Sequence, residues 1–124
     1  MKILVDTCGW IEWLSDGQHA NFFGRYLRRT ENLVVPTIVQ FELYKWVCRE
    51  KDEVTALEVL WLSEQCLVVP LDTSAAIFAA DIGRQHKLAM ADAIIYATAI
   101  QNQALVITAD KHFSKLANVE FPGR

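Results

Sequence analysis

The feature of this chain that most constrains its fold is a series of short, continuously apolar runs separated by longer helical patterns. We predict strands at Ile3–Val5, Leu33–Val35, Leu67–Val69, Leu105–Thr108 and, on a weaker pattern, Val119–Phe121. These runs are apolar throughout instead of alternating, which is typical of a parallel sheet covered by helices on both faces. The pattern therefore predicts an α/β sandwich around a parallel sheet of about five strands.

Helical patterns fill the segments between these runs. We predict helices at Gly9–Leu14, Phe22–Arg29, Thr37–Arg49, Glu53–Ser63, Thr73–His86 and Ala91–Gln103. Pro36 directly precedes one of them, and Asp72 begins a capping sequence before another, as is common at helix starts. The chain has 124 residues without a repeat, a linker or a low-complexity stretch, so we expect one domain over residues 1–124.

Charge and cysteine content restrict the partners and the compartment. Twelve basic and fifteen acidic side chains give a net charge of −3, so the surface as a whole supplies no positive field for a nucleic acid. The three cysteines, Cys8, Cys48 and Cys66, form no paired motif and read as reduced thiols. No apolar run approaches the ~20 residues of a membrane span or the roughly 7–15 of a signal peptide. We therefore expect a cytoplasmic protein that does not enter membranes.

Two acidic residues directly follow predicted strands. Asp6 comes after the first strand and Asp110 after the fourth. Sites in open α/β sheets lie at the carboxyl ends of parallel strands. If the first and fourth strands are neighbours, an adjacency assumed here, both carboxylates converge on one crevice.

Two further acidic residues lie in apolar helical sequence. Glu42 shares a predicted helical face with Ile38 and Trp46, and Asp92 stands between Ala91 and the apolar run that begins at Ala93. A carboxylate in such surroundings is costly unless it has a partner. Both positions are therefore better explained by a function than by surface solvation.

A divalent cation would resolve the repulsion among four such carboxylates. Oxygen ligands without histidine or thiolate suit a hard ion such as Mg²⁺ or Mn²⁺. That ion can connect an acidic site to a polyanion, polarise a phosphoryl oxygen and supply hydroxide at neutral pH. Asp6, Glu42, Asp92 and Asp110 are thus candidate metal ligands for hydrolysis of a phosphodiester.

Each acid also has a purely structural interpretation. Asp6, Asp92 and Asp110 can each be interpreted as the cap of a following helix or turn. Asp72 follows a strand as well, but its Asp-Thr-Ser sequence is better explained by capping. Asp81 has apolar neighbours in a predicted helix and stays open as a reserve candidate.

The ordered motifs resemble a known family. They are Val5-Asp6-Thr7, Phe41-Glu42-Leu43, Ala91-Asp92-Ala93-Ile94-Ile95-Tyr96-Ala97-Thr98-Ala99 and Thr108-Ala109-Asp110-Lys111-His112-Phe113. Together they resemble the PIN-domain nucleases, and most closely the VapC-type toxins of bacterial toxin–antitoxin pairs. The resemblance implies a three-layer α/β/α sandwich with strand order 3-2-1-4-5, in which the first and fourth strands are adjacent.

The resemblance also implies an activity and partners. Asp6, Glu42, Asp92 and Asp110 would hold Mg²⁺ or Mn²⁺ for cleavage of RNA, leaving 5′-phosphate and 3′-hydroxyl ends. Thr7 and Thr108 match polar positions that support these acids. A homodimer is implied, as is an inhibitory antitoxin protein with a segment in the active-site groove. Cys8 and Ala109 stand where these toxins more commonly have polar residues. The glycine that often follows the position of Tyr44 in these toxins is absent here.

Contacts to the substrate would come from local basic groups. The available clusters are Arg25, Arg28 and Arg29, and Lys45, Arg49 and Lys51. The four tryptophans can stack on bases, although such a stripe is more often core or interface. Two alternatives stay open: a housekeeping RNA-processing nuclease of the same family, and a non-catalytic, Mg²⁺-binding receiver-like signalling module, which leaves Glu42 unexplained.

Overall fold

Five parallel strands form the centre of the molecule in the computed structural model, which describes residues 1–123. They are β1 (Lys2–Val5), β2 (Val34–Pro36), β3 (Leu67–Val69), β4 (Ala104–Ile107) and β5 (Val119–Glu120). Strand β1 pairs with β4 and β4 with β5, while β2 pairs with β3. The predicted α/β fold with a parallel sheet is confirmed.

The sheet differs from the prediction in its continuity. Its hydrogen-bonded ladders form one part of three strands and one of two, and a single parallel bridge between Ile3 and Leu33 links β1 to β2. The spatial order across this bridge is β3-β2-β1-β4-β5. Strand β2 begins at Val34, one residue later than predicted, and the carbonyl of Leu33 before it accepts a hydrogen bond from the Leu67 N–H of β3 at 2.9 Å.

The helices lie close to their predicted positions. Within residues 1–123 they are α1 (Thr7–Leu14), α2 (Ala20–Leu27), α3 (Thr37–Glu50), α4 (Glu53–Ser63), α5 (Thr73–His86) and α6 (Met90–Gln101), with short 3₁₀ turns at Thr30–Asn32 and Lys111–Phe113. Helices α4 and α5 match their predictions at both ends. Their starts carry capping aspartates, Asp52 and Asp72, which accept hydrogen bonds from backbone N–H groups in the first turn.

The core covers the central strands and fixes the first helix behind them. Leu4 and Val5 of β1 and Val106 and Ile107 of β4 are all buried, as their continuous apolar pattern requires. Gly9 lies so close to this core that a Cβ there would stand 2.6 Å from Val5 Cγ1 and 2.7 Å from Phe23 Cε1. Only glycine allows α1 to begin this close to the end of β1.

The helices of residues 1–123 are too short or too polar to cross a bilayer, and none of them qualifies as a membrane span.

Candidate metal centre

The pairing of β1 with β4 brings the first and last acids together. Val5 is in register with Ile107, so Asp6 and Thr108 leave the sheet side by side at its carboxyl edge. The Thr108 hydroxyl donates to Asp6 Oδ2 at 2.6 Å, and the Asp110 N–H donates to Thr108 Oγ1 at 2.9 Å. Thr108 thereby connects the two strand-end acids, which agrees with the supporting position predicted for it.

Asp6 is both a helix cap and a buried carboxylate in the cleft. Its side chain accepts a hydrogen bond from the Gly9 N–H at 2.9 Å, and the residue is only 2% exposed. The pKa of Asp6 is raised from 3.8 to about 6, and burial is the largest cause. The hydrogen bonds from Thr108 and Gly9 oppose this rise, and the charges of Asp110 and Asp92 contribute to it. The capping interpretation of Asp6 is therefore confirmed, and the cap leaves its carboxylate in the cleft, where the functional interpretation also requires it.

Glu42 gains a partner from the first turn of α1. It lies in the middle of α3, half-buried, and its Oε1 accepts a hydrogen bond from the Thr7 hydroxyl at 2.5 Å. Thr7 is itself buried as the first residue of α1. This contact orients a carboxylate that would otherwise be unpaired on an apolar helix face, and it agrees with the supporting position predicted for Thr7.

Asp92 enters the site from the start of α6. The N-cap of this helix is Ala89, which makes no side-chain cap hydrogen bond, and Asp92 lies in the first turn. The capping interpretation of Asp92 is therefore wrong. Burial raises the pKa of Asp92, as does the charge of Asp110, while His112 lowers it. Asp92 is thus a partly buried carboxylate whose charge is opposed by its acidic neighbour.

Asp110 caps the 3₁₀ turn that follows β4, as one of its interpretations predicted. The His112 N–H donates to Asp110 Oδ1 at 2.9 Å. Only 20% of the Asp110 side chain is exposed, so this cap also faces the other acids. Its hydrogen bond folds the turn back toward α6.

Sequence reasoning missed one residue of the site, His112. Its Nδ1 lies 3.2 Å from Asp92 Oδ2 and 3.2 Å from Asp110 Oδ1. The three histidines show no metal-ligand spacing along the chain, so the sequence pattern does not single out His112. The available signal was its position in the capped turn, two residues after Asp110, because a tight turn returns that side chain to the capping carboxylate.

All four acids line one cleft of about 340 Å³. Its remaining walls are Thr7, Cys8, Ile11, Phe41, Lys45, Trp46, Arg49 and Ile95. Asp72 and Asp81 are not among the residues around it: Asp72 caps α5, and Asp81 pairs with Arg84 at 3.3 Å on the surface. The structure thus brings together Asp6, Glu42, Asp92 and Asp110 and separates them from the two reserve carboxylates.

The predicted basic clusters divide between two places. Lys45 and Arg49 line the acidic cleft, whereas Arg25, Arg28 and Arg29 surround a different cavity beside Met1, at the amino end of β1. The cluster of Arg25, Arg28 and Arg29 is therefore not part of the acidic cleft. Lys51 does not line the acidic cleft either. Among the tryptophans, Trp10 is a core residue and Trp46 lies in the cleft wall.

The donor set fits a hard divalent cation. In residues 1–123, no Lys or Arg forms an ion pair with any of the four acids, so their repulsion is not balanced by a fixed cationic side chain. One ligand atom each from Asp92, Asp110 and His112 lie within 4.8 Å of one another, as do those of Asp6, Cys8 and Asp110. Burial and the nearby acids raise the pKa of the Cys8 thiol to about 12, so it stays protonated and is a poor ligand.

Comparison with known proteins gives a family and a set of similar folds. Residues 3–119 match the family model of the PIN domain. The fold is similar to a toxin–antitoxin complex from Klebsiella pneumoniae, with a TM-score of 0.82 and 21% identity over 99% of both chains. No curated protein matches the chain in sequence.

Two further solved structures share the fold over nearly their whole length. FitAcB from Neisseria gonorrhoeae has a TM-score of 0.74 and 25% identity, over 98% of this chain and 96% of that one. The DNA-bound VapBC from Salmonella typhimurium has a TM-score of 0.73 and 19% identity, over 98% and 97% of the two chains.

Proposed function

This chain belongs to the PIN domain family, and from that membership we propose that it is a ribonuclease dependent on Mg²⁺ or Mn²⁺. One observation carries the proposal. Asp6, Glu42, Asp92 and Asp110 come from four separate parts of the chain and line one cleft without a Lys or Arg ion pair among the described residues. A divalent cation held by oxygen ligands balances such a set.

The cation, when bound by these acids, supplies Lewis-acid polarisation of the phosphoryl group and a nucleophile at neutral pH. The protein's own groups position the ligands. Thr108 and the Gly9 N–H fix both oxygens of Asp6, and Thr7 fixes one oxygen of Glu42. The free oxygen of Glu42 can ligate or accept a proton from the attacking water.

The helix that carries Glu42 also provides contacts for a nucleic acid. Lys45 and Arg49 lie one helical turn apart on α3, so both cations can meet successive phosphates. Trp46 offers an aromatic surface on which an unpaired base can stack. These contacts provide local attraction for RNA on a protein whose net charge is −3.

We further propose that this nuclease is the toxin of a toxin–antitoxin pair, acts as a homodimer and is inhibited by a partner protein. The Klebsiella pneumoniae structure is described as a toxin–antitoxin complex, which supports this role by likeness. Large apolar side chains are exposed on α3 and α4, namely Phe41, Val54, Leu57 and Trp61. Such a surface favours contact with another protein chain.

The nuclease is tested by cleavage of a mixed RNA pool. Wild-type protein and Asp92→Asn are assayed side by side in EDTA and after addition of Mg²⁺ or Mn²⁺. We expect cleavage only by the wild type and only with metal. Equal cleavage by the variant, or cleavage in EDTA, would overturn the proposal.

The toxin role is tested separately from the chemistry. Induced expression of the wild type in a bacterial host should stop growth, and Asp92→Asn should not. A wild type that cleaves RNA in vitro but leaves growth unaffected at equal expression would favour the housekeeping nuclease instead.

A further inference from the structure

We propose that His112 is a nitrogen ligand of the cation held by Asp92 and Asp110, and that it makes the site prefer transition-metal ions to Mg²⁺. The inference rests on the proposed metal centre. It adds to that centre a residue other than the four acids.

The position of the imidazole carries the argument. His112 Nδ1 is 3.2 Å from an oxygen of Asp92 and 3.2 Å from an oxygen of Asp110. Neighbouring ligands around an octahedral ion with bonds of ~2.1 Å lie roughly 3.0 Å apart. The nitrogen therefore already stands at nearly that separation from each of the two carboxylate oxygens, and one ligand atom from each of the three residues lies within 4.8 Å of the others.

The backbone holds the imidazole at this place. The His112 N–H donates to Asp110 Oδ1, and the next residue, Phe113, is fully buried in the core. The turn is thus attached at both sides of His112. The side chain itself is 72% exposed, so it can adjust by the few tenths of an ångström that a bond to a metal needs.

The donor type decides which ions would benefit. An imidazole nitrogen is softer than a carboxylate oxygen and suits transition metals, whereas Mg²⁺ prefers oxygen ligands and keeps its waters. The same geometry has a second interpretation, in which His112 is a cationic partner that fills the gap between Asp92 and Asp110. The two interpretations predict opposite effects of removing the ring.

If His112 is a ligand, His112→Ala weakens the binding of Mn²⁺ by about tenfold or more, since even residues that only orient a ligand contribute 10- to 100-fold. Binding of Mg²⁺ should change much less. If His112 is a competing cation, the same substitution strengthens the binding of both ions. The direction of the change in affinity therefore separates the two.

The experiment uses Mn²⁺ as a paramagnetic probe. Free Mn²⁺ is measured by electron paramagnetic resonance during titration of the wild type, His112→Ala and His86→Ala, and pulsed spectra of the bound ion are examined for coupling to ¹⁴N. His86 is the matched control, because its exposed ring packs edge-on against Tyr96 and belongs to neither group of possible metal ligands around the acids. Mg²⁺ affinity is obtained by competition.

We expect ¹⁴N coupling in the wild type and in His86→Ala, and its loss in His112→Ala together with weaker Mn²⁺ binding. Bound Mn²⁺ without ¹⁴N coupling in the wild type, or binding by His112→Ala that is unchanged or tighter, overturns the role of His112 while leaving the metal centre intact. A wild type that binds no Mn²⁺ contradicts the metal centre itself and the role of His112 with it.

Discussion

The Asp6 carboxylate is held by two hydrogen bonds but stands in a buried and negatively charged setting. Its pKa of about 6 means that the folded protein keeps a proton there which the unfolded chain releases near pH 3.8. The contribution of Asp6 to the folding stability of the metal-free protein should therefore fall as the pH rises from about 4 to about 6 and then level off. Ionised Asp6 thus opposes folding until a cation is bound.

Asp6→Asn removes this charge and keeps a residue that caps helices well. As the pH rises from 4 to 8, we expect the free energy of unfolding of the variant to increase by about 2–3 kcal/mol relative to that of the wild type, following the shift in the pKa of Asp6. Urea unfolding in EDTA at both pH values measures the difference. Asp72→Asn is the matched control, because it changes another capping aspartate on an exposed helix start. A stability difference between Asp6→Asn and wild type that is the same at both pH values would refute this account.

Thr7 donates a hydrogen bond from its hydroxyl to Glu42, and we expect it to act on the proposed reaction by orienting that carboxylate. Thr7→Val keeps the shape of the side chain and removes that hydrogen bond. We expect RNA cleavage to slow by about 10- to 100-fold, the usual effect of losing a group that orients a ligand. Thr7→Ser should restore most of the rate because it keeps the hydroxyl. Equal rates for Thr7→Val and the wild type at saturating metal would exclude the positioning role.

At the level of elements, the periodicity of apolar residues was sufficient to place the strands and helices. Strand β3 and helices α4 and α5 match their predicted ends, since capping aspartates or turn residues mark those ends in the sequence. The start of α6 was harder to place because Ala89 caps it without a side-chain hydrogen bond, and the helix begins at Met90, one residue before the predicted Ala91. The missing cap signal also left an N-cap open as an alternative interpretation of Asp92. Sequence signals therefore do not locate the start of a helix where no side chain caps it.

The residues of the site likewise divide into those that the sequence reveals and those that it does not. Asp6, Glu42, Asp92 and Asp110 are visible in the sequence because a carboxylate in an apolar run is conspicuous. Their partners are not, since the contacts of Thr7 with Glu42 and of Thr108 with Asp6 span 35 and 102 residues. From the residues alone the second contact needs the adjacency of β1 and β4, which only the resemblance supplied. His112 escaped notice because an exposed histidine in a turn has no such contrast with its neighbours.

Helix α1 depends on Gly9 for its position directly behind Asp6. An alanine in a helix is ordinarily more favourable than glycine by about 1 kcal/mol. At Gly9 the added methyl would meet Val5 and Phe23 at less than 3 Å, and both are fully buried. We expect Gly9→Ala to destabilise the fold by about 1–3 kcal/mol through overpacking. Chemical denaturation provides the measurement.

Gly24→Ala is the control for this prediction. Gly24 is also helical, but its new methyl would meet the flexible end of Arg28 and the edge of Trp13 at 3.1 Å. We expect a much smaller loss of stability, because Arg28 can move. The overpacking account fails if both substitutions have the same effect or if Gly9→Ala is the milder one.

At the scale of the whole molecule, a net charge of −3 means that the proposed RNA substrate would have to be attracted locally. The two basic clusters lie at different places, Lys45 and Arg49 in the acidic cleft and Arg25, Arg28 and Arg29 around a separate cavity. Only the first pair can hold a strand whose phosphodiester is beside the acids. Arg49 is free to do so, since its ion pair with Glu50 is exposed and therefore weak.

The salt dependence of binding tests this assignment. In the inactive Asp92→Asn background, each lost phosphate contact to single-stranded RNA reduces the slope of log K against log salt by ~0.7. Lys45→Ala with Arg49→Ala should therefore reduce the slope by roughly 1.4 and weaken binding. Arg28→Ala with Arg29→Ala removes the same charge from the other cavity and should leave the slope unchanged. If only Arg28→Ala with Arg29→Ala reduced the slope, the RNA would instead bind outside the acidic cleft and away from Trp46.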